Sequence, residues 1–429
     1  MAKTFRPYEP DQMLLMPPSL SEWVPEGHLA RFIGDVVDAL DLSVIEDSYE
    51  EERGYPPYNP WMMVKLLLYA YCTGTFSSRR IAAKVIDSVA FRFLAAGNEP
   101  DFRTISDFRK RHGEALSGLF EQVLKMCQKA GLVKLGRVAV DGTKIKANAS
   151  KHKAMSYGRM REKEAALREE VADLLRRAEA VDREEDERYG VDKSGDELPE
   201  ELARRESRLK KIQEAKAALE AEARAQAQAQ GKSGQDVIPP EKAQRNFTDP
   251  ESKIQKTGDG FIQGYNAQVA VDEKHQIIVS QHVTSASPDV NQLEPAVASI
   301  QRALRRKPRV ILADAGYWSE SNVVTLEKKG IQPLIATERQ KHSQRIAPAP
   351  RGRPPKNLSI RQKMARKLST VAGKKDYGLR KVLAEPVFGQ IKHARGFRQF
   401  LRRGLRSVQQ EWALVCIGHN ILKLHGAQA

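Results

Sequence analysis

Arg137-Val138-Ala139-Val140-Asp141-Gly142-Thr143-Lys144-Ile145-Lys146-Ala147 is the first stretch of the chain rich in strand-forming residues, and an acidic side chain stands where its apolar run ends. A second run, Arg309-Val310-Ile311-Leu312-Ala313-Asp314, is almost wholly apolar, as a buried strand should be. It also ends on an acid, before the turn Asp314-Ala315-Gly316-Tyr317. Between them, residues 265–272 and 276–284 are apolar runs joined by Glu273-Lys274-His275, a hairpin signal. Residues 291–305 and 319–329 have helical spacing, and 331–336 is a last strand. The order predicts an α/β fold, a mixed five-stranded sheet covered by helices.

Outward from this sheet the pattern changes twice. Residues 1–135 read as a separate helical domain. Asn59 before Pro60 opens its strongest helix, to Cys72, and shorter helices start near Ser77 and Thr104. Short helices joined by small turns suggest a helix-turn-helix assembly, suited to DNA-end binding or to dimerisation. Residues 151–235 carry apolar positions three and four apart (Met160, Leu167, Val171, Leu174; then Leu202, Leu209, Ile212, Leu219) around a polar stretch with Gly190, Gly195 and Pro199. That predicts a helical-hairpin insertion, released into a loop at residues 231–234. The α/β domain is then residues 136–150 and 236–429. Its later part holds a basic, Pro/Gly-rich segment over 339–375, including Arg351-Gly352-Arg353-Pro354-Pro355-Lys356, at least part of which reads as a flexible loop, and helices at 377–394 and 407–424.

The chain has 429 residues, of which 41% are hydrophobic and 29% charged, an ordinary composition for a soluble protein. Its longest apolar runs are far short of the ~20 residues that span a bilayer. The start, Met1-Ala2-Lys3-Thr4-Phe5-Arg6, has no apolar core of a secretion signal. Three scattered cysteines, Cys72, Cys127 and Cys416, exclude a disulfide scaffold and fit a cytoplasmic protein. The net charge of +16 is uneven: residues 1–150 hold 19 Lys/Arg against 19 Asp/Glu, whereas after residue 300 the count is 28 against 7. A one-sided field of this size, interleaved with helices and strands, points to a polyanionic partner, nucleic acid above all.

An Asp at the end of an apolar strand is costly to desolvate unless something positive compensates it. For one such Asp, a helix cap or a basic partner is explanation enough. Two in one sheet of a basic chain favour a divalent cation held between Asp141 and Asp314. A third carboxylate would come from a helix against the sheet. Glu385 is the best candidate, in Glu385-Pro386-Val387-Phe388-Gly389-Gln390-Ile391-Lys392, with Glu411 the runner-up and Asp376 also available. Hard oxygen ligands select Mg²⁺ or Mn²⁺, and three carboxylates can hold two ions for phosphodiester chemistry. Asp272, at the end of the second strand, reads as a turn residue.

The strand around Asp141, the Asp314-Ala315-Gly316-Tyr317 turn and the Glu385 helix followed by Arg402-Arg403-Gly404-Leu405, in this order, resemble a DDE-type transposase of a bacterial insertion sequence. The resemblance covers about residues 137–425, and residues 54–112 resemble the helical domain that precedes such cores. It implies a ribonuclease-H-like core, as in retroviral integrases. It also implies catalytic and metal-ligating roles for Asp141, Asp314 and Glu385, with Mg²⁺ or Mn²⁺, double-stranded DNA ends and target as partners, and action as a homodimer or larger assembly. The family's Tyr, Arg, Glu, Lys signature is kept between Glu385 and Lys392 and between Tyr377 and Arg380. Four residues, not three, separate Arg380 from Glu385.

Lys144, Lys146, Lys392, His393, Arg395, Arg402 and Arg403 are candidates for phosphate contact. Tyr317 and Trp318, beside Asp314, are candidates for stacking on a distorted or flipped base, although packing against the next helix accounts for Trp318 equally simply. Two rival readings share most of these residues: a non-catalytic, domesticated DNA-binding protein, and a ribonuclease-H-like nuclease without end specificity.

Overall fold

The computed structural model describes residues 19–49, 56–189, 200–229, 237–258, 260–338, 352, 355 and 357–428. Its centre is a mixed sheet of β1 (Arg137–Lys146), β2 (Lys253–Thr257), β3 (Gly260–Asp272), β4 (Ile278–Thr284), β5 (Val310–Ala313) and β6 (Gln332–Ile335). The strand order is β2-β3-β1-β5-β6, and β4 also pairs with β3. β1 runs antiparallel to β3 and parallel to β5, and β6 runs parallel to β5. This is the ribonuclease-H-like arrangement, with six paired strands rather than the five expected. The additional strand is β2, Lys-Ile-Gln-Lys-Thr, which is mostly exposed and so lacks an apolar signature. Its backbone pairs with the start of β3, Thr257 opposite Gly260.

The hairpin of β3 and β4 turns at Gln276, whose φ of 58° is left-handed. β5 is buried at every residue, and the helices Leu293–Leu304 and Glu320–Lys328 flank it in sequence.

The N-terminal helices do not form a core of their own. One continuous buried cluster runs from Val24 through the sheet to Leu424. The last helix, Leu405–Gln428, explains why: it is apolar around most of its circumference and packs on β4, on Gly113–Lys129 and on Pro60–Cys72 at once. At the tightest crossing a Cβ on Gly418 would lie 3.2 Å from the Tyr71 carbonyl carbon and 3.3 Å from the Cys72 nitrogen. The Pro60–Cys72 helix starts as its sequence dictates, with the Asn59 side chain accepting from the Trp61 and Met62 N–H groups and Pro60 in its first turn.

The insertion is an antiparallel pair of helices, Tyr157–Tyr189 and Glu200–Ala229. Tyr157, Met160, Leu167, Ile212, Ala215 and Leu219 form a second buried cluster. Lys216–Glu164 and Arg205–Glu170 pair across it, each at 2.9 Å. Paired strands Ala154–Ser156 and Gln244–Asn246 extend its base beyond the expected boundary at residue 235. Gly190, Gly195, Pro199 and residues 231–234 lie outside the described residues.

The later part of the basic 339–375 segment is helical. Ile360–Ser369 is a helix opened by a reciprocal capping box between Ser359 and Gln362, and the following helix begins at Val371, capped by Thr370. Arg351, Arg353, Pro354 and Lys356 lie outside the described residues. Among the described residues no helix is long and apolar enough to cross a membrane, and all three cysteines are free and buried.

Candidate active site

β1 and β5 are parallel and in register, with Val140 beside Ala313. The next residue on each is an aspartate: Asp314 follows the end of β5, and Asp141 lies beside it within β1, which continues to Lys146 paired with β3. Asp314 then caps a short 3-10 turn, Ala315–Tyr317, its Oδ1 accepting from the Gly316 N–H at 2.8 Å. Asp141 Oδ1 accepts from the Gly142 N–H at 2.9 Å.

Glu385 comes from the helix Val371–Gly389. Pro386 lacks an N–H, so the carbonyl of Val382 loses its helical partner. Gln276 Nε2 donates to that carbonyl instead, at 3.0 Å, which ties the helix to the turn of the β3–β4 hairpin. Arg380, one turn before Glu385, joins the carboxylates. Its Nη1 donates to Asp141 Oδ2 at 3.0 Å and its Nη2 stands 3.7 Å from Glu385 Oε1. The side chains of Arg380 and Asp141 are 13% and 15% exposed, while that of Glu385 is 58% exposed. Tyr377 lies half-buried against Arg380, so the extra residue between Arg380 and Glu385 does not carry Arg380 away from the carboxylates.

Burial pushes the Asp141 carboxyl up to about 6; Arg380 pulls it down, while Asp314 and Asp289 add to the upward push. The crevice is thus an anionic cluster short of positive charge. Its oxygen donors suit a hard divalent cation. Among the described residues no three His, Cys, Asp or Glu side chains already converge as an ion cage, because Glu385 is turned to Arg380.

The basic candidates fall into two groups. From Lys392 to Arg403 the chain is laced to the end of β1. Lys392 Nζ donates to Thr143 Oγ1 at 2.5 Å and to the Lys144 carbonyl at 3.0 Å. Asn148 donates to the Leu401 carbonyl at 2.7 Å, and Arg403 Nε to the Asn148 carbonyl at 2.9 Å. This leaves Lys146, His393, Arg398 and Arg403 exposed as a basic rim, with Arg402 half-buried and bonded to Gln410. Lys144 points the other way, its Nζ 2.9 Å from the Ser287 carbonyl and 3.5 Å from Asp289.

Two candidates are corrected. Tyr317 is fully buried, its hydroxyl donating to Gln268 Oε1, so it cannot stack on a base. Arg395 is buried too, Nη1 donating to the carbonyls of Tyr71 at 3.3 Å and Val415 at 2.9 Å; it bridges the N-terminal helices to the last helix. Trp318 is half-buried and packs on the core. The other carboxylates are structural. Glu411 is fully buried and accepts from the Leu401 N–H at 3.0 Å and the Arg402 N–H at 3.1 Å. Asp272 accepts from Leu135 and Lys274 in the hairpin turn, and Asp376 pairs with Arg137 at 2.7 Å.

Sequence reasoning missed Asp289. It follows β4 and reads as an ordinary helix-start aspartate. The signal was available: the β3–β4 hairpin returns the chain to the crevice end of the sheet, so an acid just beyond β4 comes near Asp314.

A ribonuclease-H-like sheet with aspartates side by side on two adjacent parallel strands is the arrangement of a class of nucleic-acid-cleaving enzymes. Residues 18–111 match the family model described as Transposase domain (DUF772), and residues 232–421 match the one described as Transposase DDE domain. Over these two segments the chain is similar to transposases, consistent with a DDE-type transposase of an insertion sequence. The second match begins after the helical insertion; Asp141 lies outside both, and it is the sheet register that joins it to Asp314. No curated protein and no solved structure matches the chain.

Proposed function

We propose that the protein binds the ends of its own mobile element, hydrolyses the phosphodiester there, and joins the freed 3′ ends to target DNA. The observation that carries this reading is that Asp141 on β1 and Asp314 just past β5 follow the same register pair of adjacent parallel strands, with Glu385 linked to Asp141 through Arg380. Asp141, Asp314 and Glu385 would hold Mg²⁺ or Mn²⁺, two ions in all. When bound, such ions activate the attacking oxygen and stabilise the leaving one.

The chain's own groups do the rest. Lys146, His393, Arg398 and Arg403 give the DNA backbone a positive rim at the end of β1 and fix its register without reading sequence. In the first step water's oxygen bonds to phosphorus and the 3′ oxygen leaves. In the second, the oxygen of the resulting 3′-hydroxyl bonds to a target phosphorus while the target strand's own 3′ oxygen leaves and takes up a proton. Two ends must be held together, so a dimer or larger assembly acts.

The test is cleavage and strand transfer on a duplex carrying the element's terminal repeats, with Mg²⁺, comparing the wild type with Asp141→Asn, Asp314→Asn and Glu385→Gln. Each variant should bind the duplex in a gel-shift assay and show no product. If all three cut as well as the wild type, the assignment is wrong. Binding without cutting by the wild type would mark a non-catalytic DNA-binding protein, and equal cutting of unrelated duplexes a nuclease without end specificity.

A further inference from the structure

The Asp289 carboxylate stands at the centre of a polar network that the transposase chemistry above does not use. Its Oδ1 accepts from Asn266 Nδ2 at 2.6 Å and Gln268 Nε2 at 2.8 Å, both on β3, and lies 3.5 Å from Lys144 Nζ on β1. Gln268 Nε2 also donates to Asn266 Oδ1 at 2.9 Å, and Gln268 Oε1 accepts the Tyr317 hydroxyl. Three segments are thereby fixed to one another: β1 three residues past Asp141, the middle of β3, and the turn that follows Asp314.

The other oxygen of Asp289 faces the Asp314 turn. A Cβ built on Gly316 would lie 3.2 Å from Asp289 Oδ2 and 3.0 Å from Asp314 Oδ1. Only glycine lets the two carboxylates approach over that backbone. Lys144 is the one cation near Asp289 among the described residues, and at 3.5 Å the pair is loose. Like charges on either side of Gly316 repel, and a cation between them would relieve that repulsion.

We propose that Asp289 is a positioning residue of the catalytic crevice. It sets the turn bearing Asp314 against the strand bearing Asp141, and its charge draws a divalent cation to that pair without being the cation's main ligand. Groups that hydrogen-bond to or face metal ligands commonly change metal affinity by about 10–100-fold when altered. The inference rests on the transposase reading, because it assumes a cation at Asp141 and Asp314.

The test is Mn²⁺ binding to the full-length protein without DNA, by calorimetry and by the metal-induced rise in melting temperature. The wild type, Asp289→Asn and Asp141→Asn are compared. Asp289→Asn keeps the shape and an oxygen acceptor but removes the charge. It should melt no lower than wild type without metal, bind Mn²⁺ about ten-fold more weakly, and lose most of the metal-induced rise. A folded Asp289→Asn protein that binds Mn²⁺ as tightly as wild type overturns the proposal and leaves the transposase reading intact. If Asp289→Asn melts lower without metal, Asp289→Glu decides, because it keeps the charge: Mn²⁺ affinity regained together with stability supports the proposal, and restored stability with Mn²⁺ binding no tighter than in Asp289→Asn overturns it. A wild-type protein that binds no Mn²⁺, or whose binding is untouched by Asp141→Asn, removes the transposase reading and this inference with it.

Discussion

Arg380 Nη1 and Asp141 Oδ2 meet at 3.0 Å, although 239 positions separate them in the chain. The guanidinium supplies part of the positive charge the buried carboxylate needs, and it also reaches Glu385. It therefore competes for the oxygens a divalent cation would take. Arg380→Gln should tighten Mn²⁺ binding several-fold in calorimetry while lowering cleavage. Unchanged Mn²⁺ affinity would show that the guanidinium does not compete.

The raised Asp141 carboxyl sets a pH dependence. Its folded value is about 6 and its ordinary value 3.8, so between these the folded protein holds the proton and the unfolded chain does not. This site therefore loses stability as pH rises from about 4 to 6 and stays less stable above that, by an amount of order 3 kcal/mol. Asp141→Asn should raise the melting temperature of the metal-free protein at pH 7.5, with little change at pH 4. Cation binding needs the ionised form, so wild-type Mn²⁺ affinity should fall as pH drops through 6.

Gly316 sits between two carboxylates. Gly316→Ala would place a methyl 3.0 Å from Asp314 Oδ1 and 3.2 Å from Asp289 Oδ2. The two carboxylates must give way by a few tenths of an ångström, and a displacement of that size at Asp314 should lower the rate several-fold. Circular dichroism should show a folded protein, and single-turnover cleavage should show the loss.

Glu411 and Arg395 should affect stability rather than chemistry. Glu411→Ala leaves the Leu401 and Arg402 N–H groups buried without an acceptor and should cost about 1–3 kcal/mol or more in urea unfolding. Glu411→Gln restores an acceptor and should retain cleavage activity, which a catalytic carboxylate would not. Arg395→Ala should lower the melting temperature while leaving the salt dependence of DNA binding unchanged, since a phosphate contact would reduce that slope by about one.

The strands that bring Asp141 and Asp314 together were legible because an apolar run ending in an acid is a local pattern, and both residues carry it. The Glu385 helix was legible through its motif, although its true start at Val371 lay hidden in a basic segment. β2 escaped because its stability comes from backbone pairing with β3, not from side-chain burial. Tyr317 and Arg395 were misassigned for one reason: proximity in sequence to a motif says nothing about which side of the backbone a side chain leaves. Asp289 and the Asp141–Arg380 pair depend on contacts between distant segments, which no local window contains.

The burial of the Leu405–Gln428 helix between its own sheet and the leading helices has a practical result. Any attempt to trim the protein to its DDE segment would strip cover from Tyr71-facing Gly418 and its neighbours and yield a sticky fragment. The leading helices and the sheet must therefore be engineered as a unit.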